Sequence, residues 1–466
     1  MSKESSLPSY LVSAKPNPSA NRAPWYTNTA PTYAGIFLWF VFWSASLNSG
    51  TPGGMLSAGV GVALISVLVA ALLCHFGFYL LLARFGQKTG LPLYIVGSST
   101  FGAIGGFLLP GFFMGLLQFG WVAVNTYYSS MAMNTVFNFS GIPLYLVMCI
   151  WAVAAVVCAL KGIQYVAKFS TYLPLIPLAI LLVLLAKTMG GVSSFDAEAF
   201  TKAHVIAGKS PLSPFMVLAF ALTFIVGFFA TAGAAGVDFG TSARNKRDVE
   251  LGGLVGISLA IFFTIGAAIL IVAGFYGSSA GKELLAQGKV ILNPMDLMAL
   301  IFNESIAKWL VFALAVTAFP SACFSSLIAA NSIKTTLPKV NPWVSCGIGC
   351  VVALALAISG VAGKCVAIFV FIGASFGPIC GAIAMEYVLS KGRWSGPRAG
   401  FNPAGWLSWA LGFLVGVQPN FGAQCGFVIP AAPVFAFVVG AVVYALCEKF
   451  QTAVLKYPQA DLQAKE

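Results

Sequence analysis

Long apolar runs separated by short polar connections dominate the chain. Twelve of these runs come near the length that a helix needs to cross a bilayer, which is about 17 to 25 residues. They predict an all-α membrane protein with twelve transmembrane helices, at 33–50, 56–84, 105–136, 142–161, 164–187, 214–236, 250–276, 308–335, 342–361, 363–391, 403–418 and 424–447.

Lysine and arginine predict the orientation of these spans. With the N-terminus inside, 18 of the 25 basic residues fall on the cytoplasmic side, which is the side that positive charge favours. Residues 1–32 and 450–466 are therefore predicted as cytoplasmic tails of a transmembrane domain over 33–449. Of the two long outer connections, 188–213 is expected to be loop, whereas Asn293-Pro294 predicts a short helix over Met295 to Phe302.

Composition excludes several other functions. Hydrophobic residues make up 59% of the chain and charged residues 8%, against about 25% charged in a soluble domain. The net charge of +12 forms no basic patch, so a nucleic-acid partner is not expected. Cys346 and Cys350 share a helix face without a histidine beside them, and the spans show no nucleophile–base pair, so neither a structural metal site nor an enzyme is predicted.

Two spans carry small residues where a helix is weakened. The first contains Ser44-Ala45-Ser46-Leu47-Asn48-Ser49-Gly50, and the sixth contains a glycine- and alanine-rich run over 227–236. They lie five spans apart, so the second five-span unit would be inverted relative to the first. Inverted repeats with interrupted first helices are typical of transporters that bind substrate at the bilayer midplane. Close packing through small residues is the alternative.

The third and eighth spans hold the polar residues that could form a site. In span three, Trp121 and Asn125 are four apart and share a face, with Gln118 one turn earlier. An indole can stack on a flat heterocycle and an amide can pair with its edge, although helix-to-helix hydrogen bonds would also explain these amides. In span eight, the adjacent Ser325 and Ser326 could bind a small cation or bond only to the preceding turn.

An ordered set of motifs resembles the nucleobase:cation symporter-1 family, and within it the bacterial cytosine permeases. The matching segments are Ser44-Ala45-Ser46, Gly86-Gln87-Lys88-Thr89-Gly90-Leu91, Gln118-Phe119-Gly120-Trp121, Val226-Gly227-Phe228-Phe229, Thr231-Ala232-Gly233, Asp238-Phe239, Arg244-Asn245, Ala329-Ala330-Asn331, Ala384-Met385-Glu386-Tyr387 and Phe401-Asn402. The resemblance implies a five-plus-five inverted-repeat fold with broken helices 1 and 6. The first repeat would cover 33–187, the second 214–391, and two extra helices 403–447.

The resemblance also implies a function and a set of site residues. The chain would be a secondary active symporter of the cell inner membrane that imports a nucleobase-like heterocycle by alternating access, without a cofactor or an obligate protein partner. Sodium is the expected coupling ion, and a proton is the alternative. The implied substrate residues are Ser46, Gln118, Trp121, Asn125, Phe229, Thr231, Leu327 and Asn331, and the implied sodium ligands are Ala45, Ala322, Ser325 and Ser326.

One departure from the family pattern bears on specificity. Relatives carry an asparagine directly after the hydroxyl pair, where this chain has Leu327. We therefore expect Leu327 to present an apolar wall to the substrate, unless it faces a neighbouring helix. Vitamin-type pyrimidines, hydantoins and allantoin remain alternative substrates, and a receptor that binds without transporting is the alternative from another class.

Overall fold

The regular structure of this protein is helical. The structure, a computed structural model, describes residues 7–38, 41, 43, 47, 50–161, 172–337 and 339–455. In that part of the chain, nine helices are long and apolar enough to cross a membrane. The all-α membrane fold is therefore confirmed, whereas the count of twelve spans stays a prediction.

We number the main helices in chain order. They are α1 Thr29–Phe37, α2 Val60–Thr89, α3 Leu93–Phe137, α4 Ile142–Leu160, α5 Leu175–Ser194, α6 Pro214–Ala234, α7 Lys246–Gly277, α8 Glu304–Ile333, α9 Pro342–Ile358, α10 Cys365–Leu389, α11 Pro403–Val417 and α12 Ala432–Phe450.

Helix α3 begins twelve residues before the apolar run that predicted it. Its first part is kinked at Gly102, whose φ is 81°, and Pro110 sits in a π-helical turn farther on. Glycine adopts this left-handed conformation without steric cost. The hydrophobic run at 105–136 therefore predicted the membrane-spanning part of the helix and missed the kinked part that precedes it.

The expected helix interruption is present in the sixth span, whereas most of the corresponding run in the first span lies outside the described residues. In the sixth span, α6 ends at Ala234 and a short helix, Gly236–Thr241, follows after Ala235. The small-residue run of the first span falls mainly on residues 44–46, 48 and 49, which lie outside the described residues.

The two long connections that the sequence predicts on the outer side are more ordered than expected. The predicted short helix is confirmed at Pro294–Ile301. Residues 188–213, expected as loop, contain a helix at Ala197–Ala203. Its N-cap is Asp196, whose carboxylate accepts hydrogen bonds from the backbone of Glu198 and Ala199, a sequence signal for a helix start.

The helices pack as two groups on either side of a central cavity. We call α3, α4, α8 and α9 the scaffold group, because these four helices contact one another. We call α1, α2, α6 and α7, with the short helix Gly236–Thr241, the core group, because α2 contacts α6, α7 and the short helix, and α1 contacts α7. Helices α10, α11 and α12 pack together beside the core group.

The core group is held at very short distance through glycine. A Cβ atom on Gly86 would lie 1.9 Å from the carbonyl oxygen of Val237, and one on Gly240 would lie 1.9 Å from that of Ala83. No side chain fits at either position. Helix α2 and the helix Gly236–Thr241 therefore pack backbone against backbone.

The segment before α1 is docked on the helix ends. The Tyr10 hydroxyl donates to the Ala103 carbonyl at 2.6 Å, and the Arg22 guanidinium donates to the Gln87 carbonyl at 3.1 Å. The backbone N–H of Trp25 donates to the Asp248 carboxylate at 3.3 Å. This stretch, expected as a polar tail, follows the ends of α2, α3 and α7.

Candidate functional site

A small cavity lies between the scaffold group and the core group. Its volume is about 40 Å³. Polar, aromatic and aliphatic side chains form its wall, and its lining residues are Ile36, Gln118, Trp121, Asn125, Phe228, Thr231, Ala232, Ser321, Phe324, Ser325 and Ile328. Five of the twelve residues that the resemblance implied for substrate and cation meet here: Gln118, Trp121, Asn125, Thr231 and Ser325.

Trp121 connects the two walls of the cavity. Its indole Nε1 donates to the Thr231 hydroxyl at 3.2 Å. Its ring meets Phe228 edge-on, with centroids 4.6 Å apart, and Phe369 of α10 lies 5.0 Å away on a tilted plane. The indole is thus fixed by one hydrogen bond and two aromatic contacts.

Two polar groups in the cavity wall are uncommitted. Gln118 is 4% exposed, and its amide makes one weak contact within the described chain, to the Met114 sulfur at 3.6 Å. The Ser325 hydroxyl has no hydrogen-bond partner among the described residues, although its neighbour Ser326 has one. Buried polar groups normally find partners, so the buried Gln118 amide is available to a ligand, and so is the half-buried Ser325 hydroxyl.

The Asn125 amide, in contrast to Gln118, already uses both of its hydrogen-bond donors. Its Nδ2 donates to the Ala318 carbonyl at 3.0 Å and to the Ser321 hydroxyl at 2.8 Å. Its Oδ1 accepts from the Trp151 indole at 2.9 Å. The helix-to-helix hydrogen bonds considered from the sequence are therefore present, and the amide lines the cavity without a free donor.

Phe228, and not Phe229, faces Trp121. Phe229 is fully buried and packs on Phe37 of α1, with centroids 5.9 Å apart. Phe228 and Thr231 are three residues apart and share a helix face, so the helical period could have identified Phe228. Phe228 is the ring of this segment that lines the cavity, and the substrate role that the resemblance implied for Phe229 stays a prediction.

The oxygen atoms expected to bind a cation occupy one turn of α8. The Ser326 hydroxyl is buried and donates to the Ala322 carbonyl at 2.9 Å, which is the bond to the preceding turn considered from the sequence, while Ser325 faces the cavity. Hydroxyl and carbonyl oxygens are hard ligands of the kind that bind small hard cations. The fourth expected ligand, Ala45, lies outside the described residues, as does Ser46.

Leu327 and Asn331 do not line the cavity. Leu327 packs in an apolar cluster with Ala155 and Ala159 of α4 and with Cys323. It therefore faces a neighbouring helix, the alternative to an apolar substrate wall. Asn331 is exposed, beyond Ile328, which is the last residue of α8 at the cavity.

Helical phase explains the lining residues that sequence reasoning missed. Ser321, Phe324, Ser325 and Ile328 recur at three- and four-residue spacing, which marks one face of a helix. Hydropathy could not select this face, because α8 is apolar on several sides.

Comparison with known proteins identifies the family. The model of a family described as permeases for cytosine/purines, uracil, thiamine and allantoin matches residues 27–432. The chain belongs to this permease family. It is therefore a transporter and not an enzyme.

Two curated relatives are cytosine permeases. The one from Escherichia coli (strain K12) is 24% identical over 369 residues, covering 77% of this chain and 78% of the relative. The one from Escherichia coli O157:H7 is 25% identical over 373 residues, with the same coverage. The resemblance to the nucleobase:cation symporter-1 family is thereby confirmed.

Solved structures support the fold of this permease. Mhp1, a nucleobase-cation-symport-1 family transporter, in a closed conformation with bromovinylhydantoin bound, aligns with a TM-score of 0.69 at 15% identity over 96% of each chain. Its inward-facing conformation aligns with a TM-score of 0.67 at 15% identity, over 98% of this chain and 97% of that one. A sodium-coupled sialic acid symporter gives 0.60 at 15% identity, over 93% and 90%. The inverted-repeat transporter fold is confirmed.

Proposed function

We propose that this permease is a symporter that imports a nucleobase or a related planar heterocycle together with sodium by alternating access. The membrane would be the cell inner membrane, with both termini cytoplasmic. The observation that carries the proposal is the cavity between the two helix groups, where an indole, a phenyl ring and an uncommitted amide converge.

The cavity chemistry suits a flat, neutral, polar-edged molecule. The indole of Trp121 and the ring of Phe228 offer aromatic faces, and aromatic stacking contributes about 0.5–1.5 kcal/mol beyond burial. The carboxamide of Gln118 offers a donor and an acceptor to the edge of a ring. Cytosine is our reference substrate because the curated relatives are cytosine permeases.

Binding requires the cavity to open. Its volume of about 40 Å³ holds a few water molecules at most, and Phe228 now occupies the space over the indole. A heterocycle would displace that ring and take over its contact with Trp121. Opening of this kind accords with a carrier whose two helix groups move relative to each other.

Sodium is the proposed coupling ion because of the oxygens on α8. The Ser326 hydroxyl donates to the Ala322 carbonyl at 2.9 Å and would turn its oxygen to the ion on binding, and Ser325 adds a hydroxyl at the cavity. If sodium and substrate favour the same state, each must raise the affinity of the other by the same factor.

A thermal-shift screen of the purified permease tests the proposal. The panel is cytosine, uracil, adenine, a hydantoin, allantoin and a thiamine-type pyrimidine, each in sodium chloride and in choline chloride. A ligand specific for the folded state raises the unfolding temperature, and we expect at least one heterocycle to do so more strongly in sodium. No shift with any compound would contradict the assignment of the cavity, and equal shifts in both salts would contradict sodium coupling.

A further inference from the structure

All hydrogen-bonding capacity of the Asn125 side chain is used inside the scaffold group. A carboxamide has two N–H donors and two acceptor lone pairs. The donors reach the Ala318 carbonyl and the Ser321 hydroxyl, at 3.0 and 2.8 Å. The oxygen accepts from the Trp151 indole at 2.9 Å and from the Ser129 hydroxyl at 3.4 Å.

The orientation of this amide is fixed by its partners. An indole N–H can only donate and a backbone carbonyl can only accept. Rotating the amide by a half-turn would therefore set a donor against Trp151 and an acceptor against Ala318. With no capacity left over, Asn125 has nothing to offer to a substrate while these contacts hold.

These hydrogen bonds connect α3, α4 and α8 near Ala318, where the two helical segments of α8 meet. Ala318 separates the helical stretches Glu304–Thr317 and Phe319–Thr336, and its carbonyl also accepts from the Ser321 hydroxyl at 2.8 Å. Ala322, the first of the proposed cation ligands, follows one turn later. The position of Ala318 therefore sets where the Ala322 carbonyl and the two serine hydroxyls lie relative to α3.

We propose that Asn125 is a positioning residue for the cation site and not a ligand of the substrate. It ties the start of the second α8 segment to α3 and, through Trp151, to α4, and so places the oxygens of Ala322, Ser325 and Ser326. Gln118 is then the amide in the cavity wall that is left to form hydrogen bonds with the heterocycle. The inference rests on the proposed sodium symport.

Trp151→Phe is the decisive variant. Trp151 does not line the cavity, and phenylalanine keeps a ring against Phe319, now 5.2 Å away. The substitution removes the hydrogen bond to Asn125 and part of the buried indole's packing. We expect the sodium affinity, measured without any heterocycle by sodium-dependent thermal stabilisation, to fall about threefold or more. The affinity for tritiated cytosine in saturating sodium should stay within about twofold of wild type.

Two further variants make the test specific. Gln118→Leu should give the reverse pattern, with cytosine binding weakened about tenfold or more and sodium binding unchanged. Asn125→Leu should weaken sodium binding more than Trp151→Phe, and adding Trp151→Phe to it should cost little more, because both changes remove the same contact. If Asn125→Leu does not fold, the contrast between Trp151→Phe and Gln118→Leu decides.

Three results would overturn the inference. The first is wild-type sodium affinity in Trp151→Phe. The second is a loss of cytosine binding in saturating sodium for Asn125→Leu with sodium binding intact, which would make Asn125 a substrate ligand. The third is an equal loss of both affinities in Trp151→Phe, which would indicate general loosening. A wild-type protein that shows no sodium response at all would instead contradict the sodium symport itself, and the inference with it.

Discussion

The scaffold group and the core group are joined internally by different interactions. In the scaffold group, the junction beside the cavity is a network of side-chain hydrogen bonds centred on Asn125. In the core group, the closest junction is made by Gly86 and Gly240, each against a backbone carbonyl of the opposite helix. The core group adds a hydrogen bond from the Tyr33 hydroxyl to the Ala232 carbonyl, at 2.7 Å.

The difference indicates which part of its geometry each group must keep constant. Directional hydrogen bonds fix the position and rotation of α8, where the candidate cation oxygens lie. Glycine contacts fix the distance between α2 and the helix after α6, so that these helices can move as one body. Contacts that cross between the groups include the hydrogen bond from Trp121 to Thr231 and the stacking of Phe239 on Phe324, and relative motion would break these first.

The largest effect, on folding stability, is expected at Gly240, where two helices of the core group pack backbone against backbone. Gly240→Ala places a Cβ 1.9 Å from the Ala83 carbonyl oxygen, so the backbones must separate, at a cost of roughly 1–3 kcal/mol of folding stability. We expect a lower unfolding temperature or loss of folded protein in detergent. Gly120→Ala is the matched control, because a Cβ there would meet nothing within 4 Å. Equal stability of the two variants would contradict the close-packed junction.

The next effect concerns the residue that connects the groups. Trp121→Ala removes the indole that would stack on the substrate, together with the contact to Thr231. Cytosine binding, measured by titration of the purified protein, should weaken about tenfold or more while the protein still folds. Unchanged affinity would make the indole a packing residue.

Thr231→Val has a smaller expected effect on the same contact. Valine keeps the branched shape and removes the acceptor of the Trp121 N–H. A single hydrogen bond is worth about 0.5–1.5 kcal/mol, so the affinity for cytosine should fall roughly two- to tenfold. Thr231→Ser, which keeps the hydroxyl, should restore most of it. An equal loss in both variants would assign the effect to the methyl group.

The smallest expected effect on binding belongs to Leu327→Asn. Because Leu327 packs against Ala155 and Ala159, the ranking of heterocycles should not change, although a buried unpaired amide lowers stability by about 1–3 kcal/mol. The thermal-shift panel measures both the ranking of heterocycles and the unfolding temperature. A shift of preference toward cytosine or uracil would show that Leu327 reaches the substrate.

Hydrophobic patterning predicted the membrane helices because lipid exposure imposes long apolar runs. The run at 142–161 corresponds to α4 at Ile142–Leu160 almost residue for residue. Patterning failed where conformation depends on a single residue, as at Gly102, where a positive φ breaks the helical geometry and kinks α3. It also missed the helix capped by Asp196, since that helix is too short to show a period.

The residues that line the cavity agree with the sequence expectation only in part. Trp121, Gln118, Thr231 and Ser325 reach the cavity as expected. Phe229 and Leu327 do not. The three-residue spacing from Thr231 could have selected Phe228 in place of Phe229, whereas α8 is apolar on several sides and no sequence signal marks which of its faces meets the cavity. The commitment of Asn125 to α4 and α8 was equally hidden, since it depends on Trp151, 26 residues away in the chain.

Uptake into proteoliposomes under an imposed sodium gradient tests the central claim most directly. The labelled probe is cytosine, or the heterocycle that the thermal-shift panel ranks first. We predict accumulation above the external concentration that requires inward-directed sodium and persists when a protonophore is present, together with counterflow of the same compound. Accumulation in sodium-free buffer that a protonophore abolishes would transfer the coupling to protons, and sodium-linked binding without uptake or counterflow would show a receptor in place of a symporter.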